Sequence, residues 1–261
     1  MADEEIKKKD SNDTYYQLNK RNKIPIVFIH GVGLNHGIWE DQIYSFKNTV
    51  LAYDILGHGK TPLKKEKISF DDFSLQLLNL VDELKLEKFH LVGFSIGSLI
   101  ARNFATKYND RLETLTLLCS TYKRSKEQKR IVNDRFEKSK RSSRMPKTAL
   151  LRWFNEEYLK KNDIVFWWIH GMLDENYMKN FNKVYELFVK HEDNEKFENI
   201  KTKTLIMTGE KDIGSTPEMS KNLSKVIHNS KVKIISNGKH LCHVEFADDV
   251  NKAIKDHIQN D

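Results

Sequence analysis

The run Gly93-Phe94-Ser95-Ile96-Gly97 sets a serine between two glycines, directly after an apolar stretch and directly before a helical pattern. This is the setting of a nucleophile elbow, where a strand turns into a helix at the serine itself. The turn strains the serine backbone, and side chains in place of the glycines would collide with it. Ser95 then stands at a helix N-terminus, where free N–H groups and the helix dipole favour developing negative charge. Upstream, His30-Gly31-Val32-Gly33 follows the apolar run Ile26 to Ile29. A loop at that strand end can aim an amide into the site, so the N–H groups of Val32 and Ile96 are the expected oxyanion-hole donors. Downstream, Asp212 and His240 each lie in a loop just past a predicted strand. A serine nucleophile, a histidine base and an aspartate that fixes the imidazole tautomer together perform acyl transfer, with neither metal nor organic cofactor implied.

The elements that must position these residues follow from hydrophobic patterning. Apolar, β-branched runs alternate with longer amphipathic stretches, which predicts an α/β protein with a mostly parallel sheet flanked by helices. The expected strands are Ile26 to Ile29, Val50 to Tyr53, Phe89 to Phe94, Leu112 to Leu118, Thr204 to Thr208 and Val232 to Ile235, with helices over Phe70 to Leu86, Ile96 to Tyr108 and Glu245 to Ile258. Ser11, Asn12 and Asp13 supply the turn of an opening hairpin. The alternation fails between about Tyr122 and Phe197, which has helical patterns but no convincing strand. The expected organisation is a core from 1–121 and 198–261 with a helical cap over 122–197. In that cap Trp153, Phe154, Phe166, Trp167, Trp168, Tyr177, Phe181 and Tyr185 cluster. They either pack the cap or, for Trp153, Trp167 and Trp168 in particular, line an apolar substrate pocket.

With these residues in place, the chain resembles the α/β-hydrolase fold superfamily, in the lidded subgroup of serine carboxylesterases and enol-lactone hydrolases. The order Ser95, Asp212, His240 is that of the superfamily. Asp54-Ile55-Leu56-Gly57-His58-Gly59-Lys60-Thr61 is similar to its D-x-x-G-x-G-x-S turn, with Thr61 for serine, and His240 to Glu245 resembles H-x-x-x-x-E. Lys239 stands where glycine is frequent before the histidine, and the proline common after the glutamate is missing at Phe246-Ala247. The resemblance implies carboxylic ester hydrolysis through an acyl-enzyme. The alternatives are an enol-lactone or carbon–carbon bond hydrolase acting on a carboxylate-bearing substrate, or a non-catalytic ligand-binding relative. Serine at the elbow, rather than the aspartate of dehalogenases or the cysteine of dienelactone hydrolases, favours acyl transfer to water. His243 is expected to pack or hydrogen-bond at a helix start rather than act as a second base, and His36 and His58 to structure loops.

Composition bounds the remaining possibilities. The chain has 261 residues, 31% of them charged and 39% hydrophobic, with 4 prolines and 11 glycines, which excludes disordered and collagen-like classes. Its apolar runs are far shorter than the ~20 residues of a membrane span, and the first residues carry no signal-peptide core, so a cytoplasmic protein is expected. Cys119 and Cys242 lie far apart with no metal-binding spacing and read as reduced thiols. The net charge of +7 sits in one segment: Lys123 to Lys147 holds eleven Lys/Arg against three Asp/Glu. No nucleic-acid-binding signature accompanies it, so it reads as a solvated helix face, or as a patch that steers anionic substrates. The expected partner is a small-molecule ester.

Overall fold

The computed structural model describes residues 4–142, 146–177 and 180–259. Ser143, Arg144 and Met145 of the basic segment, and the side chain of Tyr177, lie outside the described residues. The first half of the chain runs β1 (Glu4–Lys9), β2 (Tyr15–Lys20), β3 (Ile26–Ile29), α1 (Glu40–Ser45), β4 (Val50–Tyr53), α2 (Phe70–Glu83), β5 (Phe89–Phe94), α3 (Ile96–Lys107) and β6 (Leu112–Leu118). Next come α4 (Lys126–Ser139), α5 (Leu150–Trp153), α6 (Glu156–Lys161), α7 (Asp163–Tyr177) and α8 (Phe181–Val189). The chain closes with β7 (Thr204–Gly209), α9 (Pro217–Ser224), β8 (Ser230–Ile235), α10 (Cys242–Glu245) and α11 (Ala247–Gln259). No strand interrupts 122–197 among the described residues.

The eight strands form one sheet in the order β1-β2-β4-β3-β5-β6-β7-β8. β1 and β2 are an antiparallel hairpin, β2 joins β4 antiparallel, and the remaining pairings are parallel. Both faces are covered, which explains why the strands read as unbroken apolar runs. In β3, Val27 and Ile29 enter one core with Leu77, Ile100 and Phe104, whereas Ile26 and Phe28 enter the other with Trp39, Ile43 and Ile254. Helices α2 and α3 therefore cover one face, and α1 and α11 the other. Each such large side chain contributes about 1.5–3 kcal/mol by leaving water, which is what holds the strand ends, and the loops they carry, in fixed register.

Two expected helices differ in extent, and two helices are additional. The helix beginning at Phe70 stops at Glu83 because Lys85 takes φ +57° and the Leu86 amide returns to the Val81 carbonyl. The C-terminal helix is broken at Phe246, whose φ of −125° and ψ of 48° separate α10 from α11. Helices α1 and α9 are additional to the expected elements. The opening hairpin turns as expected, with Asp10 accepting from the amides of Asn12 and Thr14.

Candidate active site

Ser95 has φ 56° and ψ −119° at the junction of β5 and α3, the strained turn that its flanking glycines foretell. A Cβ at Gly93 would lie 2.2 Å from the Gly97 carbonyl oxygen, and one at Gly97 would lie 2.4 Å from that of Ile29. Both clashes are with backbone, which cannot yield, so the strand, the helix and the neighbouring strand meet at a distance only glycine permits. The elbow is held by Ser95 N donating to the Leu118 carbonyl and by Ser98 Oγ donating to the Ser95 carbonyl.

Strand ends bring the other two residues to this point. His240 Nε2 lies 3.2 Å from Ser95 Oγ, and His240 Nδ1 lies 2.7 Å from Asp212 Oδ2. The second carboxylate oxygen of Asp212 accepts from the amides of Gly214 and Ser215 at 2.8 and 3.0 Å. Burial pushes the Asp212 pKa up, but the charge and hydrogen bond of His240 and these amides outweigh it, and the carboxyl is held below its usual range. For His240 burial works downward, and the Asp212 carboxylate overrides it and raises the imidazole pKa. An acceptor fixed at Nδ1 leaves Nε2 to face the serine hydroxyl, the geometry in which a histidine can take its proton.

The loop Gly31–Gly33 is set by hydrogen bonds the sequence did not announce. Burial lowers the His30 pKa to about 4, so the ring is neutral. Its Nε2 accepts from the Ile55 amide, which leaves the Nδ1 proton for the Gly31 carbonyl at 2.8 Å. His58 Nε2 accepts from the Gly33 amide. Asn176, fully buried on α7, donates from Nδ2 to the carbonyls of Gly33 and Leu34 and accepts at Oδ1 from the Gly59 amide. The amides of Val32 and Ile96 donate to no described residue. Asp54 is also buried, accepting from the His36 amide and imidazole and from the Lys60 amide. His36 and His58 thus structure loops.

Other candidates fall into place by packing. His243 is buried between Trp39 and Phe94, at ring distances of 4.6 and 4.4 Å. Both of its nitrogens are without partners, and burial lowers its pKa to about 3. It is a neutral packing ring rather than a base. Trp153 is brought to the site, its ring 6.2 Å from that of His240, and its carbonyl accepts from the Leu241 amide. Trp167 is not brought there. It is 56% exposed, set against Phe166 and His170 on the outer side of α7. Trp168 packs on the core cluster containing Leu150, Phe154 and Leu173.

Cys119 and Cys242 are buried free thiols. Burial holds the Cys119 thiol well above its ordinary pKa, and it donates to the His240 carbonyl at 3.2 Å, bracing the histidine loop from below. Ligand-type atoms of Cys119, Asp212 and His240 lie within 4.8 Å of one another. The last two already engage each other, and the thiol keeps its proton, so hydrogen bonds satisfy this donor set. His191, Asp193 and Glu195 form a second such group, gathered around the fully buried Arg102 of α3. Arg102 Nη2 pairs with Asp193 at 2.9 Å and Glu195 at 2.7 Å, Nη1 donates to the Thr121 carbonyl, and the guanidinium lies over Phe197. One side chain of the serine-bearing helix therefore holds both ends of 122–197.

The sheet order, the elbow and the three converging strand-end loops define a class. The description of the alpha/beta hydrolase fold family matches residues 24–165, and the chain belongs to that family. Over 94% of both chains it is 26% identical to (E)-2-((N-methylformamido)methylene)succinate hydrolase of Acinetobacter baylyi. It is 25% identical to 3-oxoadipate enol-lactonase 1 of the same organism, over 88% of this chain and 86% of that one. Among solved structures, the enol-lactonase of Burkholderia xenovorans superposes with a TM-score of 0.85 at 21% identity, covering 95% of this chain and 96% of that one. No helix among the described residues is long and apolar enough to cross a membrane.

Proposed function

We propose that this hydrolase-fold chain cleaves an acyl bond of a small carboxylic ester or lactone through an acyl-enzyme. The observation that carries the reading is the unbroken hydrogen-bonded line from Asp212 through His240 to Ser95, ending on a serine in a strained elbow. Ser95 Oγ attacks the acyl carbon while His240 Nε2 takes its proton and returns it to the leaving oxygen. Asp212 holds the imidazole tautomer and stabilises its positive charge. The amides of Val32 and Ile96 receive the oxyanion, and water then releases the acid by the same steps reversed. Residues 122–197 act as a cap in which Trp153 forms part of the wall nearest the histidine.

Within this reading, two relatives matched over nearly the whole chain, a substituted succinate hydrolase and an enol-lactonase, favour a substrate of the enol-lactone or related kind over a simple alkyl ester. The test is a panel of aryl esters, alkyl esters and lactones of graded acyl length, run with wild type and Ser95→Ala. Wild type is expected to hydrolyse activated aryl esters and to bind a fluorophosphonate covalently at Ser95, and Ser95→Ala to do neither. Wild-type turnover in Ser95→Ala would remove the acyl-enzyme.

A further inference from the structure

The strip of chain that carries Trp153 is joined to the loop that carries His240 by side chains the mechanism does not use. Asn155 stands at the N-cap of α6, where an asparagine ordinarily accepts from an amide of the first helical turn, yet its side chain makes no capping bond. Its Nδ2 donates instead to Glu245 Oε1 at 2.7 Å and to the Asn237 carbonyl at 3.0 Å, and its amide donates to Glu245 Oε2 at 3.1 Å. Glu245 closes α10, the short helix that begins at Cys242, just past His240. Both of its oxygens therefore accept from one residue, a charge-assisted pairing with fixed geometry.

Two further bonds join the same stretches. Lys239 Nζ donates to the Leu151 carbonyl at 2.8 Å, and the Leu241 amide donates to the Trp153 carbonyl at 3.0 Å. Residues 151, 153 and 155 thus meet 237, 239, 241 and 245, and His240 lies inside the bonded span. From the sheet side the loop is held by the Lys211 amide on the Gly238 carbonyl, by Glu210 accepting from the Asn237 amide, and by the Cys119 thiol on the His240 carbonyl. The histidine loop has two mounts, one on the sheet and one on 151–155.

We propose that Asn155 and Glu245 are positioning residues for His240: they clamp the α5–α6 corner onto the histidine loop, so that the base is aligned between Asp212 and Ser95 only while that corner is docked. This rests on the proposed acyl transfer and adds to it a dependence of the base on residues outside the sheet. The effect passes through the Leu241 amide, one peptide from His240, and through Asn237 before it. His240 bridges partners at 2.7 and 3.2 Å, so a displacement of its loop lengthens one contact or the other, and a misplacement of about 1 Å at a reacting centre costs about 10²-fold in rate. The same clamp fixes the Trp153 ring 6.2 Å from that of His240, so the wall of the site and its base move as one body.

The experiment compares wild type with Asn155→Ala, Asn155→Asp and the double variant Asn155→Asp/Glu245→Gln. Asn155→Asp sets two carboxylates against each other, and adding Glu245→Gln restores a donor facing an acceptor with the roles exchanged. On 4-nitrophenyl acetate, kcat is expected to fall about tenfold to a hundredfold in Asn155→Ala and further in Asn155→Asp, with a smaller change in KM, and to recover most of that loss in the double variant. Inactivation by a small fluorophosphonate is expected to slow by a similar factor, its pH midpoint moving down toward the ordinary histidine value of ~6.5 as the imidazole parts from Asp212. Hydrogen exchange at the Leu241 amide, which needs no activity, is expected to be about tenfold or more faster in both single variants and slow again in the double variant. A lowered thermal midpoint with kcat, pH midpoint and Leu241 exchange as in wild type overturns the positioning role, and so does a double variant no better than Asn155→Asp. Wild type inert toward both ester and fluorophosphonate overturns the hydrolase reading. Faster Leu241 exchange in Asn155→Ala then still upholds the clamp on the histidine loop, and unchanged exchange overturns both.

Discussion

His240 presents Nδ1 to Asp212 at 2.7 Å, and that contact raises the imidazole pKa while lowering that of the carboxyl. The base must be neutral to accept the serine proton. Reaction of Ser95 with a fluorophosphonate should therefore rise with pH through a midpoint above the ordinary histidine value of ~6.5. Asp212→Asn should move the midpoint down and depress the plateau on the order of 10³- to 10⁴-fold, because the tautomer is no longer fixed. The rate of inactivation against pH reports both effects, and an unmoved midpoint in Asp212→Asn contradicts the coupling.

The same pair sets a stability profile with opposite signs. The raised His240 pKa contributes stability that is complete below the unfolded-state value and is lost as pH rises through the folded one. The lowered Asp212 pKa contributes stability present above the unfolded carboxyl value and lost as pH falls. Denaturant midpoints for wild type minus Asp212→Asn should therefore be greatest between those limits, near pH 5 to 6, and shrink on both sides. A flat difference from about pH 3 to 9 would show that the pair is not coupled to folding.

Asn176 reaches from α7 to Gly33 and Gly59, across 143 and 117 residues of sequence. Asn176→Leu leaves buried backbone groups without partners, each costing about 1–3 kcal/mol, and frees the loop that carries the Val32 amide. kcat on an activated aryl ester is expected to fall up to about 10²-fold with a smaller change in KM, since small misplacements at a reacting centre are that costly. A fall in thermal midpoint with kcat intact would make Asn176 a packing residue only.

Arg102 is buried with two carboxylates. Arg102→Met leaves Asp193 and Glu195 with His191 in place of a guanidinium as counter-charge, and breaking a buried pair costs up to about 3–5 kcal/mol. The loss should be larger at neutral pH than near pH 4, where the stranded carboxyls can protonate. Equal losses at both pH values would point to lost packing over Phe197 rather than lost charge.

Lys138, Lys140 and Arg141 are exposed, and salt at physiological ionic strength screens exposed charges at separations beyond about 8 Å. Replacing all three by Gln should leave kcat/KM for a carboxylate-bearing aryl ester, relative to a neutral ester of the same acyl group, as it is in wild type in ~0.15 M salt. A fall in that ratio, largest at low salt, would assign these exposed charges a long-range steering role.

Local requirements were legible in the sequence, and long-range ones were not. Gly93 and Gly97 betray the elbow because backbone crowding dictates glycine within five residues, and Asp212 and His240 because each follows an apolar strand. Lys85 ends a helix in a left-handed conformation without the glycine that signals it, so α2 is overrun in the sequence reading. Helix α9 carried a usable signal in its Thr216 cap and Pro217 at the first turn. Asn176 and Arg102 had none, because their partners are brought to them only by the assembled fold. The aromatic cluster divides for the same reason: composition cannot tell Trp153 beside the histidine from Trp167 at the surface.

The hold of Arg102 on Thr121 and on Asp193 means that the chain leaves the sheet and returns to it at one clasp. Strands β6 and β7 are paired directly, from Leu115 with Thr204 to Leu118 with Met207, whatever lies between them. The pairing of β6 with β7 therefore does not depend on the length of chain between them. On the proposed function, the reaction belongs to loops anchored in the sheet, and the choice of substrate to the segment that this clasp returns to it.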